Sequence, residues 1–320
     1  MDLSLKTNKI KLNQIIARRD YTTARALCVE YLEQFPAKPG LSVQGAKQTH
    51  QGYIKSFIYF LDNMHRLEDL YNNGYIVLDD KKIKILADDN SKIPFVNYSN
   101  SPISNCPGAH SCLTFCYSLN SFRFPAPFTR WAINSIIEQE RPEIIHQALI
   151  DYKKKRSIAK LIKDQGHIDF RLFADGDFKD LNALYNWMDF LKQHKDIKAY
   201  AYSKSWTLFI QAIKERGENY FPPNFVLNLS SGGRFHNLKD IMKHYNFVRG
   251  EFVSIQIDKL INPHKMTKEQ KRDIRKRAHK MGHKKVFVCP GICGSCTAYG
   301  HACGDNKRFK DFTIITPVHK

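Results

Sequence analysis

The chain has 320 residues, 42% hydrophobic and 25% charged, enough to bury one large core or two ordinary ones, which excludes disorder as its main state. No run approaches the roughly 18 apolar residues of a membrane span, and the opening MDLSLKTNKIKLNQ lacks the apolar stretch of an export signal, so a cytoplasmic protein without a membrane partner is expected. Fifty Lys and Arg against 31 Asp and Glu leave a net charge of +19, and the natural partner of such an excess is a polyanion, nucleic acid first.

Residues 1–94 read as a helical N-terminal region with a small hairpin. Ile15, Ile16, Ala24, Leu27, Val29, Tyr31 and Leu32 recur at helical spacings up to about residue 35. After the break at Lys38-Pro39-Gly40, a second stretch from about 48 to 71 carries Ile54, Phe57, Ile58, Phe60, Leu61 and Met64. Residues 75–78 and 83–86, separated by Asp79, Asp80 and Lys81, predict the hairpin.

Residues 95–320 read as an α/β domain carrying two cysteine loops. The first, NCPGAHSCLTFCY, holds Cys106, Cys112 and Cys116, and FRFPAPFTRW follows, where Arg123 and Arg130 among phenylalanines suit a nucleotide. Short apolar strands then alternate with amphipathic helices, which predicts a partial or complete (β/α) barrel-like parallel sheet. Each strand ends in polar residues. Residues 168–174 run into Asp175-Gly176-Asp177, 197–202 into Ser203-Lys204-Ser205-Trp206, 225–229 into Ser230-Ser231-Gly232-Gly233, 253–257 into Asp258, and 285–288 into Cys289. Carboxyl ends of parallel strands share one rim, so these tips are expected to converge there. Asp175, Asp177 and Lys204 are the candidate catalytic side chains, and Gly176 allows close backbone approach to a ligand.

Between residues 265 and 285 ten Lys or Arg stand against Glu269 and Asp273, predicting a cationic helix in which Lys271, Arg272, Arg275, Lys276 and Arg277 contact phosphates. Residues 152–163 form a second basic run on another predicted helix. The second cysteine loop, VCPGICGSCTAYGHACG, holds Cys289, Cys293, Cys296 and Cys303 and opens, like the first, on Cys-Pro-Gly. Close spacing lets consecutive thiolates turn to one centre, while Pro and Gly expose peptide N–H groups to sulfur. One or two [4Fe–4S] clusters are the expected occupants, with zinc the alternative. Three thiolates leave one iron open for chemistry and four close the site, so Cys106, Cys112 and Cys116 are expected to hold a reactive cluster and the C-terminal four a closed one. His110 and His301 lie inside the two loops as substitute ligands.

The order of these tips resembles the radical S-adenosylmethionine superfamily. The resemblance implies that Asp175, Gly176 and Asp177 take the place of a Gly-Gly-Glu motif at the cofactor's amino group. It likewise implies that Ser203, Ser205, Ser230, Ser231 and Gly232 line the cofactor. The first loop is C-x5-C-x3-C rather than C-x3-C-x2-C, and the familiar spacing recurs at Cys289, Cys293 and Cys296. The C-terminal loop as the catalytic one, or both loops around one cluster, therefore stand as alternatives. The CPG…C…CY and CPGxCxxC loops, FRFPAPF, DGDF and YSKSW also resemble the gene product 88-like proteins of phages and plasmids, which implies a mobile-element setting. The expected function is an iron–sulfur, radical S-adenosylmethionine-like enzyme acting on nucleic acid or a nucleotide. The alternative is a non-enzymatic nucleic-acid-binding protein with structural zinc or iron–sulfur sites, used in phage or plasmid replication or regulation.

Overall fold

The computed structural model describes residues 1–35, 50–88, 92–257, 265–294 and 296–318; the Lys38-Pro39-Gly40 break and the strand tip at Asp258 lie outside them. The chain divides into two compact units, one of residues 1–86, 99–105 and 118–156, the other of residues 87–98, 106–117 and 157–320.

The first unit opens with helices α1 (Lys6–Ala17), α2 (Tyr21–Gln34), α3 (His50–Asp62) and the short α4 (Leu67–Leu70). Asp20 caps α2 by accepting the N–H of Thr23, and Leu12, Ile16, Ala24, Tyr31, Ile54, Phe57 and Phe60 form the buried stripes. The helical stretch expected from about 48 to 71 stops at Leu70. Asn73 and Gly74 both have positive φ (46° and 87°), the turn that Asn-Gly supplies to a hairpin, so Tyr71–Asn72 become strand β1. It pairs antiparallel with β2 (Tyr75–Val77), which pairs with β3 (Lys82–Lys84). The unit is completed by α5 (Ser118–Ser121), α6 (Pro125–Glu140) and α7 (Pro142–Lys154). Proline in the first turn of α6 and of α7 starts each without losing a helical hydrogen bond. Phe128, Trp131, Ile133, Ile136 and Ile137 bury α6 almost all round. The basic run at 152–163 is split at Lys155, whose ψ of 132° ends α7 before α8 (Arg156–Gln165) begins.

The second unit is a mixed α/β fold built on a six-stranded parallel sheet, a partial barrel-like arrangement. Its elements are β4 (Ile168–Leu172), α9 (Leu181–Gln193), β5 (Ile197–Ser203), α10 (Trp206–Arg216), β6 (Phe225–Ser230), α11 (Lys239–Lys243), β7 (Val248–Ile255), α12 (Lys268–Lys280), β8 (Val286–Val288) and β9 (Thr313–Pro317). The strand order is β4-β5-β6-β7-β9-β8. Residues 313–317, which carry no strand expectation from the sequence, insert between β7 and β8 and pair parallel with both. One face of the sheet is apolar and covered by helices. Phe170 of β4 meets Trp187 of α9 (centroids 5.6 Å), and Phe225 of β6 stacks with Phe209 of α10. Val253, Ile255 and Ile315 pack with Ile274 and Ala278 of α12. The alternate residues form the opposite, inner face, where register aligns Arg171 with Tyr200, Tyr202 with Asn228, and Ser230 with Phe252.

Candidate functional site

Three of the predicted strand tips and the first cysteine loop meet at the carboxyl ends of β4, β5 and β6. The Asp177 carboxylate is buried and accepts the N–H of Lys204 (2.9 Å) and of Phe178 (2.8 Å), which ties the β4 tip to the β5 tip. Burial pushes its pKa up, opposed by the Lys204 amide and the Ser203 hydroxyl. Lys204 Nζ donates to Ser230 Oγ at 2.7 Å, joining β5 to β6. Ser203 Oγ accepts from the Ser205 N–H, and Ser231 Oγ accepts from the Ser254 N–H. Gly176, at φ 87°, makes the turn between Asp175 and Asp177. Trp206 is core: its indole N–H donates to the Ser203 carbonyl at 2.7 Å.

The first cysteine loop lies directly on these tips. Cys112 N donates to Gly232 O (3.1 Å), Arg234 N to Gly108 O (2.9 Å), and Ala109 bridges Gly233. A β-carbon on Gly108 would stand 1.9 Å from the Lys204 carbonyl oxygen, and one on Gly232 would stand 2.8 Å from Cys112 Cβ. The Tyr117 hydroxyl donates to the Ala174 carbonyl at the end of β4. Cys112 is buried here, while Cys106 and Cys116 are half-buried.

The second cysteine loop covers the inner face. Cys289 follows β8, where its N–H extends the ladder to Ile315 O, and Cys289, Cys296 and Cys303 pack with Tyr200, Tyr202, Val226, Phe252 and Ile314. Cys293 N donates to Lys92 O, and Gly294 sits where a β-carbon would meet the ring of Pro94 at 2.7 Å. Asn228 Nδ2 donates to the Cys303 carbonyl (3.0 Å), and its Oδ1 accepts from the buried guanidinium of Arg249 (2.6 Å). Two sulfurs accept backbone N–H groups, Cys289 from Gly291 (3.4 Å) and Cys296 from Ala302 (3.3 Å). Burial raises the Cys289 thiol to about 11, with the neighbouring Cys293 and Cys296 adding to the rise, and the Cys303 thiol to about 12, with Cys289 adding. Both are therefore protonated at neutral pH.

All eight cysteines are free thiols, which removes disulfides from the account. Thiols with N–H···S support are the donor set that zinc or an iron–sulfur cluster takes. Among the described residues, no group of three or more His, Cys, Asp or Glu side chains is placed so that it could hold a metal ion. His301 is held otherwise: its Nδ1 accepts from Gly304 N (3.0 Å) and its Nε2 lies 3.1 Å from Asp169 Oδ1. His110 is exposed.

The other predicted contacts belong to other elements. Arg123 stacks on the exposed Phe124 (4.7 Å) and Arg130 sits half-buried on α6, both in the helical unit. On α12, capped by a Thr267–Gln270 box, Ile274 and Ala278 face the sheet, whereas Arg272, Arg275 and Lys276 are exposed; Lys271 and Arg277 are half-buried, and Arg277 pairs with Asp273 (3.0 Å). Sequence reasoning missed the inner-face polar residues Asp169, Arg171, Tyr200, Asn228 and Arg249. Their signal is a polar residue at every second position of a strand whose other positions are apolar, as in Ile168-Asp169-Phe170-Arg171-Leu172.

A family model described as gene product 88 matches residues 75–310. No curated protein matches the chain. No solved structure matches it either. Among the described residues no helix is long and apolar enough to cross a membrane.

Proposed function

The chain belongs to the gene product 88 family, and from that premise we propose that it is an iron–sulfur protein of a phage or plasmid that works as a radical S-adenosylmethionine-like enzyme on nucleic acid or a nucleotide. The observation that carries the reading is the placement of two reduced cysteine loops on one parallel sheet, the first across the carboxyl ends of β5 and β6, the second on the inner face. Cys106, Cys112 and Cys116 would hold an iron–sulfur cluster, which would supply one-electron chemistry to a bound cofactor. Cys289, Cys293, Cys296 and Cys303 would hold a second cluster with four thiolate ligands. Asp175, Gly176, Ser230, Ser231 and Gly232 border the first loop as cofactor contacts, with Ser203 and Ser205 behind them. Asp177 acts as a positioning residue, because its carboxylate fixes the Lys204 tip. Lys204 is a cation within reach of a bound carboxylate or phosphate, and the exposed cations of α12 supply contacts to nucleic acid.

Anaerobic purification tests this. The expected protein is brown, contains iron and acid-labile sulfide, and cleaves S-adenosylmethionine when dithionite is added. Replacing Cys106, Cys112 and Cys116 together by Ala abolishes the cleavage and leaves the iron of the second loop. A colourless protein with stoichiometric zinc returns the non-enzymatic nucleic-acid-binding alternative, for which four thiols in one closed loop are also a suitable set.

A further inference from the structure

With 70% of its surface in solvent, Tyr299 is the most exposed large hydrophobic residue among the described ones. It stands in a tight turn closed by Thr297 N donating to Gly300 O (3.0 Å) and Gly300 N donating to Thr297 O (3.4 Å). The Thr297 hydroxyl donates to the Gly300 carbonyl (2.9 Å) and accepts the N–H of Tyr299 itself (3.1 Å), and Gly300 takes a φ of 106° that a side chain would strain. The ring is therefore carried on a pinned turn. Over it lies the Arg308 guanidinium, 4.2 Å from the ring centroid. Asp305 sets that cation in place: its Oδ1 accepts the N–H groups of Lys307 (3.2 Å) and Arg308 (3.0 Å), and its Oδ2 accepts from Arg308 Nη1 (3.0 Å). Lys307 and Arg308 are themselves exposed.

Folding gains little from this arrangement, because a ring left in water buries almost no apolar surface and an exposed cation–π contact adds only a small attraction. What the arrangement suits is stacking: a rigidly carried aromatic, backed by a guanidinium and otherwise open to solvent, is a surface for a second flat π system. In a duplex the faces of the bases are closed against one another, whereas an unpaired base offers its face. The two exposed cations and the net charge of +19 complement the phosphates that come with such a base, while an aromatic side chain of a protein partner would use the ring alone. We propose that Tyr299, backed by Arg308, is a stacking platform for an unpaired base of single-stranded nucleic acid, with Lys307 beside it for the phosphate backbone. The inference rests on the nucleic-acid part of the proposed function and specifies it: α12 supplies phosphate contacts indifferent to strandedness, and Tyr299 favours strands whose bases are free.

The test uses full-length protein purified anaerobically, with iron and zinc measured in each preparation because Tyr299 lies between Cys296 and Cys303. The probes are a labelled oligothymidylate, an abasic strand of equal length and a duplex of equal length, read by fluorescence anisotropy at one salt concentration. The parent binds the oligothymidylate about tenfold or more tightly than the abasic strand. Tyr299→Ala weakens binding of the oligothymidylate by about tenfold and changes that of the abasic strand and the duplex by less than about twofold. Its metal content and thermal midpoint stay at the parent's values, since the ring is exposed. Tyr299→Trp keeps the affinity, and its added fluorescence is quenched by the oligothymidylate and not by the abasic strand; this variant carries the test if the alanine protein loses metal. Parent-like binding of the oligothymidylate by Tyr299→Ala overturns the proposal and leaves the α12 contacts standing. Equal weakening toward the oligothymidylate and the abasic strand overturns it as well, by making Tyr299 part of a general polyanion surface. Binding of none of the three probes removes the nucleic-acid reading and the platform together, and leaves a protein as what the ring meets.

Discussion

Gly108 decides where the first cysteine loop lies. With its missing side chain 1.9 Å from a carbonyl oxygen of the next strand tip, no residue with a β-carbon fits unless the loop lifts. Gly108→Ala is expected to destabilise the protein by about 1–3 kcal/mol, measured by denaturant unfolding, and to speed alkylation of the otherwise buried Cys112. A variant with parent-like stability and parent-like alkylation would show that the loop does not rest on Lys204. Strain collects nearby. Phe173 has a φ of 59°, an outlier for a bulky side chain, held where its ring packs against Phe178 (4.7 Å) and Tyr98 (5.8 Å). It is the residue after β4, so a costly backbone conformation delivers Asp175, Gly176 and Asp177 to the rim, as strained residues do at sites where geometry matters more than stability.

Among the elements, β7 carries the clearest electrostatic tie. Its buried Glu251 pairs with Lys243 of α11 and lies 3.7 Å from Lys239 at the start of that helix. Burial alone would raise this carboxyl, but the lysines outweigh it and hold its pKa below the ordinary value. A lowered carboxyl pKa means stability that is fully present above the unfolded value and is lost as pH falls through the folded one. Glu251→Gln is therefore expected to cost about 1–3 kcal/mol at pH 7, with the difference from the parent shrinking as pH falls below about 4.5. A pH-independent difference would assign the loss to packing. The same strand shows what the sequence conceals. Apolar runs bounded by polar tips made β4, β5 and β6 legible, together with the rim they share. The expected strand at 253–257 instead begins at Val248, because Arg249 and Gly250 read locally as a polar turn. Only the fold gives Arg249 its acceptors, Asn228 Oδ1, Glu251 O and the carbonyls of Phe309 and Phe312. Alternation along β4 marks Arg171 as inward-facing, but what an inward-facing cation does becomes legible only when its neighbours are known. The short run at 313–317 gave no warning that it enters the sheet rather than trailing from it.

At the scale of the whole molecule the net charge of +19 has an outlet in α12, whose apolar stripe is buried and whose remaining face is cationic. Under the proposed nucleic-acid role, reversing Arg275, Lys276 and Arg277 to Glu is expected to lower affinity for all sequences alike and to reduce the slope of log K against log salt by about one for each phosphate no longer neutralised. Unchanged binding and slope in a salt titration would remove this helix from the interface. The strand order carries a different implication, for how the molecule comes into being. β8 has β9 as its neighbour and otherwise ends the sheet, so the strand that leads to Cys289 acquires its place through a segment synthesised 25 residues after it. On the ribosome, the four sulfurs of that stretch emerge before the wedge that anchors them. Their final positions therefore wait on β9, whose pairing with β7 and β8 fixes the strand that leads to them.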